Sequence, residues 1–368
     1  MRNATTGEVR PGFVFFRRAR GAAVAKARPV RYRKLTQPAD PTMPLLDPTG
    51  LSLLALLALL AGALAVLILG AKLFTQAAER VGLALGLSPF AVGVFIVAVG
   101  TSLPELVSSV LAAGRGQSGM VAGNVLGANT SNLLFILGLV AASSKRGIRL
   151  GEQYIAIDLN FMLGSALTLA LVMFDGHVGR LEGLALLGGY GAYVGYLWTE
   201  GRSATAEASF ESAQPAAPPR LRAQDFLTLL AAGALIFVGA NTTLDALIAL
   251  ADRIGISPAI ASLTILSLGT TLPELAVSIA AARAGRAEMA VGNILGSCIF
   301  NGFVVLGAAA NVGPIEAPPE ILRLPLPACV AAALLFYLLT HDKRVSRWEG
   351  TLFVLLYLLL IAELTGLA

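Results

Sequence analysis

The chain has 368 residues, 56% of them hydrophobic and only 13% charged, whereas a soluble domain carries about a quarter charged residues. That balance excludes an ordinary soluble enzyme, and apolar runs of membrane-crossing length recur along the chain. The formal charge of +5 does not indicate nucleic-acid binding: residues 1–42 hold ten Lys and Arg against Glu8 and Asp40, leaving +5 − 8 = −3 for the remainder.

Residues 1–42 are rich in Arg and Ala, lack clear periodicity and lead into "PADPTMPLLDPTG". They fit a basic, disordered tail, a targeting peptide, or an extension upstream of a start at Met43. The last is favoured, because the long apolar core of a secretory signal is missing. Hydropathy and turn signals then mark ten spans, at about 51–74, 88–113, 119–142, 154–174, 181–199, 225–250, 257–282, 287–311, 324–341 and 349–367. The long polar stretch 200–224 reads as a linker between two sets of five, 43–199 and 225–368. Cys298 and Cys329 fall in separate spans without metal-ligand spacing. His177 and His341 fall in loops, so no histidine metal site is expected. Asp158, Asp245 and Glu363 are read as solvated or locally paired.

A shift of 169 positions lays 88–138 on 257–307 without a gap, with 21 of 51 residues identical. Chance likeness between apolar helices would match Leu, Ala and Val. Here the matches include Ser88-Pro89 with Ser257-Pro258, "GTSLPEL" with "GTTLPEL", and Gly123, Asn124, Gly127 and Asn132 with Gly292, Asn293, Gly296 and Asn301. Five spans per half is an odd number, so the second half enters the membrane from the opposite side. With the first span starting outside, the inner loops and span ends hold thirteen Lys and Arg after residue 50 and the outer ones hold four: Arg115, Arg180, Arg253 and Arg323. The expected fold class is therefore an all-α integral membrane protein, ten transmembrane helices in two inverted five-helix repeats, with the 200–224 loop cytoplasmic. Inverted repeats with interrupted helices are a construction of secondary transporters.

Each repeat places a proline and a glutamate inside an apolar run. Pro104 lacks an N–H, and its ring collides with the carbonyl of Gly100 four residues back. A turn is expected to unwind there, freeing carbonyls around Ala98 to Thr101. Thr101 and Ser102 add hydroxyls, and Glu105 adds a carboxylate. The second copy offers Ser267 to Thr270, with Thr271 and Glu274. These are hard oxygen donors of the kind that suit Ca²⁺ and Na⁺. Asn124, Asn132, Asn293 and Asn301 lie on glycine-punctuated helices whose Gly123, Gly127, Gly292 and Gly296 permit close approach; Asn124 and Asn293 either ligate or hydrogen-bond freed carbonyls. Ser297 and Asn301 are one turn apart. Two inverted hairpins crossing at mid-membrane would bring Glu105 and Glu274 together, and two facing carboxylates repel unless cations neutralise them. Intramembrane acids matched in this way point to an ion pathway.

With these motifs the chain resembles the sodium/calcium exchanger family of the cation/calcium antiporter superfamily, in its prokaryotic ten-span form with two alpha-repeats, over about 43–368. The resemblance implies that Glu105 and Glu274 bind Ca²⁺ with the carbonyls of Thr101 and Thr270. It implies flanking Na⁺ sites built from the hydroxyls of Thr101, Ser102, Thr270, Thr271 and Ser297 and the carbonyls of Ala98 and Ser267, with Asn132 and Asn301 lining the centre. Ala128 stands where the family often has a serine matching Ser297, so one Na⁺ site loses a hydroxyl. Ser267 replaces a small apolar residue, and Asn301 an aspartate carried by many members, which argues against potassium dependence. No acidic residue follows the "GN" pairs, as it tends to in the proton-coupled branch.

The expected function is exchange of Ca²⁺ for Na⁺ by alternating access, with no covalent chemistry and no cofactor. The alternatives are a H⁺/Ca²⁺ or other divalent-cation exchanger of the same fold, a cation channel, and a non-transporting scaffold. The partners are the transported ions and the lipid bilayer, with no nucleic acid. A monomer suffices for transport, and a prokaryotic plasma membrane is the expected location.

Overall fold

In the computed structural model, residues 48, 50–85, 87, 89–116, 118–144, 147–149, 158–211, 221–253, 269, 271–340 and 343–365 are described. They include eleven helical segments. In chain order these are α1 (Leu53–Ala84), α2 (Gly93–Thr101), α3 (Leu103–Gly114), α4 (Ser118–Ser143), α5 (Leu159–Val172) and α6 (Arg180–Glu211). Then follow α7 (Ala223–Arg253), α8 (Leu272–Arg283), α9 (Ala287–Val312), α10 (Pro319–Leu339) and α11 (Arg347–Thr365). Every one of the ten apolar stretches expected from the sequence contains a described helix. Among the described residues six helices, α1, α4, α7, α9, α10 and α11, are long and apolar enough to cross a membrane singly, and α2 with α3 forms a bent seventh. The segment 1–42 and the beginning of the 257–282 stretch lie outside the described residues.

Burial separates the helices into an inner and an outer set. Of the apolar windows of α4 and α9, 78% and 94% is buried in protein, against 22% for α1 and 17% for α11. The inner pair carries small residues and amides; the outer helices show leucine to their surroundings, as at Leu54, Leu230 and Leu359. An apolar outer surface of this kind matches a lipid environment.

Outer helices α1 and α7 pack along each other through glycines related by the 169-residue offset. A Cβ at Gly70 would lie 2.9 Å from the Ile236 nitrogen, and one at Gly239 would lie 2.7 Å from the Leu67 nitrogen. Leu67 and Ile236 are themselves 169 apart, so equivalent residues of the two halves meet reciprocally. The correspondence thus extends beyond 88–138 to the helix before it. Gly239→Val would drive a branched side chain into the α1 backbone, so we expect a loss of about 1–3 kcal/mol, read as a lower thermal midpoint of the purified protein.

Two short antiparallel pairs tie the halves together. β1 (Ile148–Arg149) pairs with β4 (Arg344–Val345), and β2 (His177–Val178) pairs with β3 (Ile315–Glu316). Ion pairs add further ties: Arg80 to Asp225 at 3.1 Å joins the end of α1 to the start of α7, and Arg286, before α9, pairs with Glu79 of α1.

Two expectations are corrected. The linker 200–224 is not wholly a loop, because α6 continues to Glu211 and α7 begins at Ala223. Residues 200–211 hold three Ala and three Glu, good helix formers, without an interrupting proline. The unwound turn expected over Ala98–Thr101 is confined to Ser102, with helix on both sides and a bend of 47°. Pro104 occupies the second position of α3, where its missing N–H costs no intrahelical bond, so it starts a helix instead of breaking one.

Candidate functional site

The break at Ser102 has its counterpart at Thr271, 169 residues on. Ser102 has φ −90° and ψ 4°, and Thr271 has φ −95° and ψ 6°. Each precedes a twelve-residue helix with proline in its first turn, and each of those first turns carries the glutamate. Glu105 and Glu274 are both 1% exposed. They therefore sit near helix N-termini, where backbone dipoles favour negative charge.

The two segments meet against α9. A Cβ on Gly93 would fall 2.4 Å from the Met289 carbonyl, and one on Gly296 would fall 2.9 Å from the Val94 backbone and 2.7 Å from the Ala98 Cβ. Only glycine permits this approach. Gly123, expected to play a similar part, makes just an ordinary contact with Ile321 at 3.5 Å. The crossing brings α2 side chains onto second-half residues. The Ser102 hydroxyl donates to the Glu274 carboxylate (3.1 Å) and lies 3.0 Å from the Ser297 hydroxyl. Thr101 reaches the Asn293 side-chain oxygen at 3.2 Å. Glu105 lies in the first turn of α3, directly after Ser102, the residue that meets Glu274.

Asn124 and Asn293 serve as matched braces. The Asn124 amide donates to the Ser109 hydroxyl at 3.0 Å, and Asn293 donates to Ser278 at 2.9 Å. Both partners are serines, not the freed carbonyls weighed above, although the Asn293 amide also points at the Glu274 carbonyl (3.5 Å). Ser109 and Ser278 are identical in the repeat alignment, so this pairing was available in the sequence and was missed. Asn129 and Cys298, again 169 apart, pair with each other: the Asn129 amide donates to the Cys298 carbonyl at 3.2 Å, and the thiol points back at the Asn129 carbonyl. Mutual contact between equivalent residues is what a two-fold relation between halves produces.

Several buried polar atoms lack a hydrogen-bond partner among the described residues: both Glu105 carboxylate oxygens, Glu274 Oε2, and both side-chain atoms of Asn132 and Asn301. Buried polar groups are otherwise almost always satisfied, and an unpaired buried carboxylate is costly. Three of these acceptor oxygens belong to the two acids and two to the asparagines, all of the donor type that a hard cation takes. The Ala98 carbonyl differs from expectation, since it already accepts from the Ser102 N–H (3.0 Å) and is approached by the Thr101 hydroxyl (3.3 Å). Ser267 and Thr270 lie outside the described residues; Thr271 is described and buried.

Among the described residues, π-helical turns occur at Gly93–Val97, Ser131–Ile136 and Asn301–Val305. Asn132 and Asn301 each lie in one of them. Such turns recur at functional sites. Away from this region, Asp158 is buried and accepts a hydrogen bond from Tyr193, and Glu363 is exposed; one is locally paired and the other open, in keeping with the sequence reading.

Several known proteins are similar to this chain over most of its length. The inner membrane protein YrbG of Escherichia coli (strain K12) is 32% identical over 304 residues, covering 78% of this chain and 91% of its own length. The sodium/calcium exchanger MaX1 of Methanosarcina acetivorans is 29% identical over 337 residues, covering 82% and 96%. A solved structure of the sodium-calcium exchanger NCX_Mj, soaked with 2.5 mM Na⁺ and 1 mM Sr²⁺, superposes with a TM-score of 0.71 at 26% identity, over 84% of this chain and 99% of that one. The pattern of the sodium/calcium exchanger protein family matches residues 55–199 and 225–365, and the chain belongs to that family of membrane exchangers.

Proposed function

We propose that this protein exchanges Ca²⁺ for Na⁺ across a prokaryotic plasma membrane by alternating access. Ten spans in two inverted halves enclose one cation site between Glu105 and Glu274. The observation that carries the reading is the buried pair of carboxylates, supplied from equivalent positions of the two halves and left with unsatisfied oxygens. A site of this charge is satisfied by one divalent cation or by several monovalent ones, which makes occupancy by either ion exclude the other.

Contacts at the helix ends support the inverted arrangement. With the first span starting outside, β1 and β4 both fall on the inner side, as do Glu79 with Arg286 and Arg80 with Asp225. On the outer side β2 pairs with β3, and Ser118, Gly119, Asp175, His177 and Pro318 line a common cavity. A missed crossing would have put partners on opposite faces of the membrane. The pairings therefore favour ten crossings, with the 200–224 segment inside.

In this account Glu105 and Glu274 take Ca²⁺ with Thr101 and Thr270. The hydroxyls of Ser102, Thr271 and Ser297, with the Ser267 carbonyl, serve Na⁺, and Asn132 and Asn301 line the centre. Outer helices α1 and α7 slide together across the inner core. An empty site carrying two like charges resists closure, which couples the two ion flows. Proteoliposomes loaded with Na⁺ and diluted into Na⁺-free medium are expected to take up ⁴⁵Ca²⁺, and those given a pH gradient alone are not. Uptake that follows pH and ignores Na⁺ would overturn the choice of counter-ion.

A further inference from the structure

The two halves do not present their hydroxyls from equivalent positions. In one half-to-half contact, Ser102 lies 3.0 Å from Ser297. The repeat maps Ser102 onto Thr271 and Ser297 onto Ala128, so the reciprocal contact would have no second hydroxyl. Instead Thr271 lies 3.3 Å from the hydroxyl of Ser131. Ser131 is fully buried and stands three residues beyond Ala128, where a helical neighbour on the same face is found. We propose that Ser131 is a cation ligand in this exchanger, forming with Thr271 a hydroxyl subsite that replaces the one missing at Ala128; the proposal rests on the Na⁺/Ca²⁺ reading above.

Three observations carry it. First, nothing in the repeat calls for a hydroxyl at this position: its equivalent is Phe300, whose ring packs edge-on against Tyr190 at 5.7 Å. Second, Ser131 opens the π-turn that also holds Asn132. The Asn132 side-chain oxygen is buried and unpartnered among the described residues, as is Glu274 Oε2 one helical turn beyond Thr271. Polar oxygens awaiting a ligand thus adjoin the hydroxyl pair on both chain segments. Third, the spacing suits an ion. Two oxygens 3.3 Å apart subtend about a right angle at a cation about 2.4 Å from each, a usual distance for a cation of this size. The Ser102–Ser297 pair, at 3.0 Å, subtends a similar angle. When the ion binds, both hydroxyls turn lone pairs to it, and the Ser131 O–H can donate to a carbonyl of the preceding turn, a common serine bond in helices. Each half-to-half contact then holds one monovalent cation between two hydroxyls.

The test uses the full chain in proteoliposomes and follows ⁴⁵Ca²⁺ movement against Na⁺ concentration. For Ser131→Ala the half-saturating Na⁺ concentration should rise about tenfold, equivalent to about 1.4 kcal/mol, with a shallower Na⁺ dependence. Exchange of Ca²⁺ for Ca²⁺ without Na⁺ should change far less. Adding Ala128→Ser to Ser131→Ala should bring the Na⁺ curve back toward that of the unaltered protein. Ser131→Thr, which keeps the hydroxyl, should preserve Na⁺ dependence, and Ser131→Val, its isostere without one, should reproduce the alanine defect. Equal defects in the threonine and valine variants would mean packing alone and would overturn the assignment, as would an unchanged Na⁺ curve in Ser131→Ala. If the unaltered protein moves Ca²⁺ without regard to Na⁺, it is the parent reading that fails.

Discussion

Glu105→Gln and Glu274→Gln are each expected to abolish Na⁺-driven Ca²⁺ uptake by proteoliposomes. Glutamine keeps the shape of the side chain and one carbonyl oxygen, and it removes one unit of charge facing the ion. Unit charges about 4 Å apart interact by about 4 kcal/mol at an effective dielectric of about 20, and a divalent ion doubles that. Even the smaller figure amounts to about a thousandfold in affinity. Neither carboxylate can substitute for the other, because both are buried and come from different halves. Folding should survive, since the substitution relieves repulsion between two acids. The variants are therefore predicted to melt no lower than the unaltered protein without cations, and to gain little on adding Ca²⁺. A non-transporting scaffold would show full function in both variants, and that outcome would refute the site.

The second large effect is expected at the crossing of α2 and α9. Gly296→Val places a branched side chain where a Cβ alone would already lie 2.7 Å from the Ala98 Cβ and 2.9 Å from the Val94 carbonyl. No flexible side chain stands there to yield; α2 itself must move. The cost is about 1–3 kcal/mol of overpacking. Displacing α2 also draws Ser102 away from Glu274 and Ser297, which it meets at 3.1 and 3.0 Å. Ca²⁺ transport should consequently be lost even in the fraction of protein that folds. Gly164→Ala, where a Cβ meets nothing within 4 Å, is the matching control and should transport normally. Rates for purified, monodisperse Gly296→Val close to those of the control would show that the crossing does not set the site.

Much of this arrangement was legible in the sequence because the repeat is written in unusual residues. Proline, glutamate and asparagine matched at one offset marked both breaks and both acids. Hydropathy and turn signals marked apolar stretches that each contain a described helix, since lipid demands long apolar runs. What remained hidden depends on tertiary contact. The π-turns carry no composition of their own, so the turn that holds Asn132 was not legible even though the repeat marked Asn132 itself. Two-residue strands such as Ile148–Arg149 are too short for an alternating pattern. The proline rule misled at Pro104, because the same residue that disrupts a helix interior is welcome in a first turn. Ser131 was overlooked for a related reason: comparison between repeats finds shared residues, and Ser131 acts where the repeats differ.

Titration of the purified full-length protein with Ca²⁺ in Na⁺-free detergent solution, by calorimetry or equilibrium dialysis, tests most directly whether two halves make a single site. One Ca²⁺ should bind per chain, added Na⁺ should displace it, and either glutamine substitution alone should remove it entirely. Two bound ions per chain, with each substitution removing only one of them, would mean that the carboxylates act separately and would contradict the account.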